Sequence, residues 1–460
     1  MKRRRLFGWW LGMALVWSGC SMLGLGGKET PSAKTGQQAK AGQPPVKVGM
    51  ASPMVYTEAK NGLPEGRIWK TQIAFGDVNG DGLPDLGAVS RLADGPWIFI
   101  GDGKGNWKPA ANGLPHEPYC GGGMAFADVN NDGKMDVAIS DHCKGVFVYL
   151  GDGTGNWKSA SSGLPTIGSE DVALGDFDGD GCVDLVSVAA NEEGVRAFRG
   201  NCKGVWKETS DGLSQTEWGN SVVMADMNGD GHLDIIAAYS AGPRVWLGDG
   251  KGKWREASEG LPAPDIHGLY WGIAVGDVNG DGKLDIVAGS QMPPQPEGCG
   301  VPGAPVCTGG GVQVFIQEAG GKWRESNQGL LPMNALGVVV GDLNNDGHAD
   351  IVVTGKRQLS EIGGVYGVFP YLGDGTGKWT LAEDSGLPND GRERTWGVGL
   401  ADIDGDGVLD IAVAFGDVVA PQWRSGSVQK GHSAAPQRGK FGVLEVWRGE
   451  IKPKQTAGAQ

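Results

Sequence analysis

A nine-residue stretch that occurs seven times limits the folds open to this chain more than any other feature of the sequence. The first copy runs from Asp77 to Asp85. In each copy, side-chain oxygens occupy positions 1, 3, 5 and 9, and a glycine occupies position 6. Ca²⁺ takes six to eight oxygen ligands at about 2.3–2.6 Å, and a glycine here permits the sharp turn that such a loop needs. The stretch therefore predicts a calcium-binding loop in which the backbone carbonyl of position 7 is a further ligand.

We predict up to seven bound Ca²⁺ ions, one in each loop. The predicted side-chain ligands are Asp77, Asn79, Asp81 and Asp85 in loop one; Asp128, Asn130, Asp132 and Asp136 in loop two; Asp176, Asp178, Asp180 and Asp184 in loop three; Asp226, Asn228, Asp230 and Asp234 in loop four; Asp277, Asn279, Asp281 and Asp285 in loop five; Asp342, Asn344, Asp346 and Asp350 in loop six; and Asp402, Asp404, Asp406 and Asp410 in loop seven. Plain Asp-Gly hairpin turns would not need oxygens at positions 1, 3 and 9. An EF-hand would need flanking helices and a glutamate at position 12, which is Ala88, Ser187 or Ala288 in three copies.

The residues around each loop indicate short β-strands. Apolar, β-rich segments such as residues 72–76 and 86–89 flank the first loop, and a third such segment, a glycine-rich turn and a segment that opens at tryptophan follow. The copies begin 48–65 residues apart, and periods near 40–50 residues with several strands each indicate propeller blades. The sequence predicts an all-β, seven-bladed β-propeller over residues 54–450, with four-stranded blades and a Ca²⁺ loop between the first and second strand of each. One tryptophan per blade is expected to pack between blades.

The N-terminal part of this domain supplies a strand that the last repeat lacks. The chain ends soon after the third strand of the seventh repeat, whereas residues 54–64 end in the same Asn-Gly-Leu-Pro as residues 112–115. We expect this N-terminal strand to pair with the last blade and close the ring, so that no sheet edge stays free.

The pattern resembles the FG-GAP or VCBS-type repeats of integrin-α-like propellers, and the resemblance covers nearly all of the chain after residue 53. It implies the propeller fold and bound calcium. Such repeats occur in adhesion proteins, lectin-like proteins and accessory domains of enzymes, so the resemblance does not specify a partner.

The N-terminus is similar to a bacterial lipoprotein signal. A basic segment, residues 2–5, precedes an apolar run that is too short to span a bilayer, and Cys20 follows a small residue pair. We predict a signal peptide at 1–19, lipidation of Cys20, a flexible tether at 20–53 and a disordered tail at 451–460. The expected location is the cell envelope, in the outer membrane, with the lipid as the membrane contact.

The net charge limits the class of partner, and the cysteines indicate a disulfide pairing. The formal net charge is −14, largely from the loop aspartates, and this argues against nucleic acid as a partner. Six cysteines remain besides Cys20. The blade arrangement predicts the disulfides Cys120–Cys143, Cys182–Cys202 and Cys299–Cys307 in an oxidising compartment.

The sequence contains no nucleophile elbow, zinc-binding histidine pair, P-loop or dinucleotide fingerprint, and no catalytic residues are predicted. We therefore predict a monomeric, calcium-binding module for a glycan or protein partner at the cell envelope. Two alternatives remain open at this point: a polysaccharide-active enzyme or its accessory propeller, and a scaffold subunit of an envelope complex.

The expected binding surface is the face opposite the calcium loops. Three insertions, at residues 290–311, 354–366 and 416–440, would border it. Aromatic residues at the entry to the first strands offer large contact areas for a ligand. They are Trp69, Tyr119, Trp218, Tyr270, Trp271 and Trp396. The alternative is that most of these aromatics plug the mouth of the channel or pack on neighbouring strands.

Overall fold

A computed structural model describes residues 49–453 except 71, 190–192, 263–269, 292–310, 361–362, 390–393 and 417–441. The predicted signal, Cys20 and most of the tether lie outside these residues. In the part of the chain that is described, no helix is long and apolar enough to cross a membrane.

The described residues form a seven-bladed all-β propeller with four-stranded antiparallel blades, as predicted. The strands, in the order first to fourth, are in blade one Ile68–Trp69 with Ala74–Gly76, Asp85–Asp94, Pro96–Gly101 and Trp107–Pro109; in blade two Met124–Ala127, Asp136–Asp141, Gly145–Gly151 and Trp157–Ser159; in blade three Ser169–Gly175, Asp184–Ala189, Val195–Arg199 and Lys207–Glu208; in blade four Gly219–Ala225, Asp234–Tyr239, Gly242–Gly248 and Trp254–Glu256; in blade five Tyr270–Gly276, Asp285–Ser290, Gly311–Gln317 and Trp323–Glu325; in blade six Met333–Gly341, Asp350–Ser360, Gly363–Gly373 and Trp379–Glu383; and in blade seven Thr395–Ala401, Asp410–Phe415, Leu444–Ile451 and Met54–Glu58.

The core lies between the blades, because each sheet buries both of its faces. In blade two, Val137 and Ile139 pack against blade one, whereas Ala138 between them packs against blade three. Successive side chains of a strand point to opposite faces, so an uninterrupted apolar strand serves two neighbours at once. This explains why the second strands of the repeats are continuous apolar runs instead of alternating ones.

The tryptophan that opens the fourth-strand segment joins each blade to the one before it. In blade two, the indole Nε1 of Trp157 donates to the carbonyl of Ala110 at 2.7 Å, and the backbone N–H of Trp157 donates to the carbonyl of Asn112 at 2.8 Å. Gly113 has a φ of 90°, and a Cβ there would come within 2.2 Å of the Trp157 carbonyl. The glycine of the Gly-Leu-Pro connection is therefore needed for this close approach, and the predicted packing of the tryptophans between blades is confirmed.

The N-terminal strand occupies the fourth position of blade seven. Met54–Glu58 pairs antiparallel with Leu444–Ile451, in a register that places Tyr56 opposite Gly449. The N–H of Tyr56 donates to the carbonyl of Ser385 at 2.7 Å, the bond that a tryptophan makes in the other six blades. Tyr56 thus stands where the other repeats have tryptophan.

Two segments extend the predicted strands. Met50–Ala51 pairs in parallel with the fourth strand of blade six, so part of the segment predicted as tether belongs to the folded domain. This segment carries no repeat pattern, so its pairing could not be predicted from the sequence. The insertion predicted at 354–366 continues the second and third strands of blade six, which pair as far as Ser360 and Gly363. The bulk of the insertions at 290–311 and 416–440 lies outside the described residues.

Two disulfides are present as predicted, Cys120–Cys143 and Cys182–Cys202. The first ties the segment entering blade two to the end of that blade's second strand. The second ties loop three to the turn before the fourth strand of blade three. The third predicted pair, Cys299–Cys307, lies outside the described residues.

Candidate functional site

Each loop is shaped by hydrogen bonds from its own backbone to its own carboxylates. In loop one, Asp77 Oδ1 accepts from the N–H of Gly80 at 2.7 Å and of Asp81 at 3.0 Å, while Asp77 Oδ2 accepts from Gly82 at 2.9 Å. Gly80 and Gly82 have φ values of 74° and 87°. These left-handed conformations turn the backbone around the first aspartate, so its carboxylate stands at the centre of the loop.

The aspartate at position 9 is buried and joins two strands. Asp85 Oδ2 accepts from the N–H of Val78 at 2.8 Å, and Asp85 Oδ1 accepts from the N–H of Gly101 at 2.9 Å, at the end of the third strand. We call this pair of bonds the position-9 bridge. Burial raises the pKa of Asp85 to about 6. The bridge recurs in all seven blades, on Asp85, Asp136, Asp184, Asp234, Asp285, Asp350 and Asp410.

Oxygen atoms from separate positions of a loop converge. In loops three and seven, where position 3 is an aspartate, carboxylate oxygens of positions 1, 3 and 9 lie within 4.8 Å of one another. A carboxylate has about four lone-pair sites, so the position-9 bridge leaves capacity for a cation. An all-oxygen donor set of this kind fits Ca²⁺ and not a soft transition metal.

The face opposite the loops carries a small opening where all seven blades meet. Each blade contributes at least one residue from its first strand or the segment entering it: Lys70, Gln72, Gly122, Glu170, Asn220, Trp271, Leu336, Trp396 and Gly397. We call this the axial mouth. Its free space is about 30 Å³, enough for only a few water molecules. A ligand of sugar size would therefore contact the rim of the mouth and not enter it.

An ion cluster fills part of the axial mouth. Glu170, whose side chain is 4% exposed, accepts from Lys70 Nζ at 2.9 Å on one oxygen and contacts His142 Nδ1 at 2.5 Å with the other. Burial alone would raise the pKa of Glu170, but Lys70 and His142 together lower it to about 2. The Lys70 ammonium also lies 5.6 Å from the ring of Trp271 and 5.9 Å from that of Trp396. A blade-three carboxylate thus holds a lysine from blade one and a histidine from blade two, with the lysine ammonium beside two aromatic rings.

The six predicted aromatic residues do not form one surface. Trp69, Tyr119, Tyr270 and Trp396 are buried, while Trp218 and Trp271 are half-buried. Trp271 and Trp396 meet edge to face with centroids 5.7 Å apart, and Trp218 lies 5.3 Å from the His142 ring. Trp69 and Tyr119 belong to core clusters between blades. The aromatic surface open to a ligand is therefore confined to Trp218 and Trp271.

Sequence reasoning did not find the Lys70–Glu170–His142 cluster. The three residues hold different positions in their repeats: between the two parts of the first strand of blade one, in the first strand of blade three and after the second strand of blade two. No spacing rule links such positions. The available signal is the acidic pair Glu170-Asp171, at a point where the other blades carry uncharged residues.

Two larger clefts lie at corresponding blade junctions. One of about 500 Å³ lies between blades seven and one and includes Lys60, Asn106 and Arg448. The other, of about 570 Å³, lies between blades four and five and includes Arg244 and Glu259. Each runs beside a fourth strand and reaches the turn before the next one. Neither cleft could be predicted from the sequence.

Comparison with protein families gives a clear result. Residues 77–139, 128–187, 176–237, 226–288 and 306–353 match the FG-GAP-like repeat, and residues 269–314 match the FG-GAP repeat. These matches span more than half of the chain. The chain belongs to the FG-GAP-like repeat family. The first four FG-GAP-like matches each begin at one acidic loop and end just beyond the next, so the family pattern contains the loop and the strands that the position-9 bridge connects.

Solved structures similar to this FG-GAP-like repeat protein share little sequence identity with it. A lectin from Agrocybe aegerita, described as recognising non-reducing terminal N-acetylglucosamine, is 19% identical over 69% of this chain and 82% of that chain, with a TM-score of 0.43. The biofilm matrix protein Bap1 of V. cholerae is 10% identical over 87% and 92%, with a TM-score of 0.46. The lectin BP39L from Burkholderia pseudomallei is 14% identical over 75% and 93%, with a TM-score of 0.45. No curated protein sequence matched significantly. No functional conclusion follows from similarity this weak.

Proposed function

We propose that this FG-GAP-like repeat protein is a calcium-binding lipoprotein of the cell envelope that serves as a binding module for a glycan or a protein. The observation that carries the proposal is the convergence of carboxylate oxygens in loops whose backbone already holds them in place. With loops on one face and a half-buried aromatic rim on the other, the metal sites and the partner surface would lie on opposite faces.

The loop residues at positions 1, 3, 5 and 9 would hold up to seven Ca²⁺ ions. The ion would offset the repulsion between carboxylates that stand within a few ångströms of one another. Because a metal that binds only the folded state stabilises it by mass action, removal of calcium should lower the melting temperature. Asp281→Ala should remove one bound ion without unfolding the ring, because stability in repeat proteins is spread over neighbouring units. An unchanged melting temperature after exhaustive chelation would overturn the calcium proposal.

The proposed partner surface is the rim of the axial mouth around Trp218 and Trp271. A half-buried indole presents a rigid apolar face at low entropic cost, which suits stacking on a sugar ring or on a partner side chain. A pull-down from envelope extract, with and without chelator, would identify the partner. Trp218→Ala and Trp271→Ala should then weaken its binding. Asp249→Ala, in a turn on the loop face, is the control and should bind normally. The opposite pattern would place the binding surface on the loop face.

The envelope location rests on the N-terminal signal, which lies outside the described residues. We propose that Cys20 carries the lipid and that residues up to the first strand tether the propeller to it. Labelling with a radioactive fatty acid should mark the wild-type protein and not Cys20→Ser, which should appear in the soluble fraction. Equal labelling of the two proteins would refute lipidation at Cys20.

A further inference from the structure

One residue near the end of the third strand differs between two classes of loop. The bridge gives each blade a common reference point, the third-strand residue whose N–H binds the buried aspartate. The residue just before that point is Arg199 in blade three and Arg448 in blade seven. In the other five blades it is apolar: Ile100, Leu150, Leu247, Ile316 and Leu372.

The arginines occur in the same blades as an aspartate at loop position 3. Position 3 is Asp178 in loop three and Asp404 in loop seven, and an asparagine in each of the other five. In all seven repeats, therefore, aspartate goes with arginine and asparagine goes with leucine or isoleucine. Two residues that change together in separate copies of one repeat indicate a direct physical dependence.

The structure shows the contact that accounts for this dependence. Arg199 Nε forms an ion pair with Asp178 Oδ2, and Arg448 Nε lies 3.5 Å from Asp404 Oδ2. The Asp178 side chain is 4% exposed and that of Asp404 is 12% exposed. A carboxylate so sheltered from water needs a partner for its charge. Arg448 Nη2 also lies 3.9 Å from Glu450.

In the loops with asparagine at position 3, the side-chain amide offsets part of the carboxylate charge. The side-chain amides of Asn79 and Asn228 each donate to the position-5 carboxylate of the same loop at 2.9 Å. An aspartate has no such donor, and it adds a further negative charge. Loop five has another nearby cation, the exposed Lys283, with Nζ 3.7 Å from Asp281.

A second feature marks the same two loops. The position-4 residue of the preceding loop is Asn131 or Asn345, instead of the glycine found in the other loops, and both have a left-handed φ. Their amides donate to the position-6 carbonyls of loops three and seven, Gly181 at 2.8 Å and Gly407 at 2.9 Å. Loops three and seven are thus held from a neighbouring loop as well as from the third strand of their own blade.

We propose that Arg199 and Arg448 are positioning residues that hold the position-3 carboxylates of loops three and seven and offset their charge. The net side-chain charge around a bound cation is then about the same in a loop with four aspartates and one arginine as in a loop with three aspartates. This inference rests on the proposed binding of calcium by the loops. It adds that the arginine sets the net charge of two of the sites and stabilises both of them in the absence of the ion.

A double-mutant cycle in loop three tests the proposal through the melting temperature and through the number of bound calcium ions, measured by equilibrium dialysis. In chelator, Arg199→Leu should lower the melting temperature by roughly 1–3 °C, because Asp178 loses its partner. Calcium should restore most of this loss, so the calcium-induced rise exceeds that of the wild type. Asp178→Asn leaves an unpaired cation beside the site and should hold one calcium fewer at the lowest concentration that saturates the wild type. The double variant should regain both wild-type values.

Arg196→Leu is the matched control. Arg196 lies on the same strand but pairs with Glu193 and Glu208, away from the loop. Its replacement should leave the calcium-induced rise in melting temperature unchanged. The reverse exchange in loop four provides a second test. Asn228→Asp should lower the melting temperature in chelator, and the addition of Leu247→Arg should reverse this loss. If the loop-three variants do not fold, Arg448→Leu and Asp404→Asn repeat the cycle in blade seven.

The outcomes separate this inference from the proposed function. A wild type that holds no calcium refutes calcium binding, and non-additive melting temperatures in chelator would still support the ion-pair part of the inference. If the wild type holds calcium but the effects of Asp178→Asn and Arg199→Leu simply add in the double variant, the arginine has no tuning role and the inference is wrong.

Discussion

At the scale of single residues, the aspartate at position 9 has two tasks that can be separated. Its carboxylate faces the loop, where it would meet the ion, and it also accepts backbone N–H bonds from the loop and from the third strand. The second task does not need a metal. The position-9 bridge should therefore stabilise the blade in chelator, whereas the exposed aspartate at position 5 should matter only when calcium is bound.

Blade four offers the matched pair for this prediction. In chelator, Asp234→Asn should lower the free energy of unfolding by about 1–3 kcal/mol, because one of two buried N–H donors would face an amide N–H₂ group. Asp230→Asn should leave this free energy nearly unchanged in chelator, yet both variants should hold one calcium fewer than the wild type. Urea titration and calcium dialysis provide the two measurements. Equal stability of Asp234→Asn and Asp230→Asn in chelator would show that the bridge adds nothing beyond metal binding.

The ion cluster at the axial mouth predicts a pH dependence. The pKa of Glu170 is lowered to about 2 in the folded state, against about 4.3 in an unfolded chain. The stabilisation from this carboxylate is therefore fully present above the unfolded pKa and is lost as the pH falls towards 2. Glu170→Gln should lower the free energy of unfolding at pH 7 by roughly 3 kcal/mol, because it leaves the sheltered Lys70 without its partner.

The measurement is urea unfolding of wild type and Glu170→Gln between pH 7 and pH 2.5. The difference between their free energies of unfolding should shrink as the pH falls. Titration of the loops affects both proteins alike and cancels in this difference. Glu117→Gln is the control. The Glu117 side chain, which pairs with Lys144, is 63% exposed, so this ion pair should contribute less than about 1 kcal/mol. A difference that stays constant with pH would contradict the lowered pKa.

At the scale of the elements, the tryptophans that join the blades form a series with one informative exception. Trp157 donates its indole N–H to the preceding blade, whereas the buried indole N–H of Trp379 has no hydrogen-bond partner among the described residues. Trp157→Phe should therefore cost about 1–2 kcal/mol of unfolding free energy through the unsatisfied Ala110 carbonyl, and Trp379→Phe should cost less. Equal losses, measured by urea titration, would show that packing alone determines the effect of the tryptophans.

The elements also show how far the sequence could predict this structure. Loops, strands and blade number were predictable, because each of these features follows from a repeat that presents the same pattern several times. The two disulfides were predictable from the places of their cysteines within the predicted blades. The burial of Trp69 and Tyr119 was not, since it depends on which side chains of the neighbouring blade cover them. The cluster of Lys70, Glu170 and His142 was hidden for a similar reason: only the ring brings these non-equivalent positions together. The position-9 bridge could not be predicted, because the sequence shows the carboxylate and not its distant N–H partners.

At the scale of the whole molecule, the N-terminal strand takes part in two blade junctions. Met54 and Tyr56 are almost completely buried, and the N–H of Tyr56 binds blade six through Ser385. On the other side, the carbonyl of Ala59 just beyond this strand accepts from the indole of Trp107 in blade one at 2.7 Å. A short segment therefore contributes to the contacts of blade seven with both of its neighbours.

Deleting residues 54–60 should consequently destabilise the propeller far more than deleting residues 31–43 from the predicted tether. Loss of the buried Met54 and Tyr56 side chains alone should cost roughly 5 kcal/mol or more, a large part of the 5–15 kcal/mol by which domains are usually stable. The sheet of blade seven would also be left with a free edge, which favours aggregation. Thermal melts of both truncations test this, with Tyr56→Ala as a milder change expected to lie between them. If the two truncations melt at the same temperature, the strand is not required to hold blade seven between its neighbours.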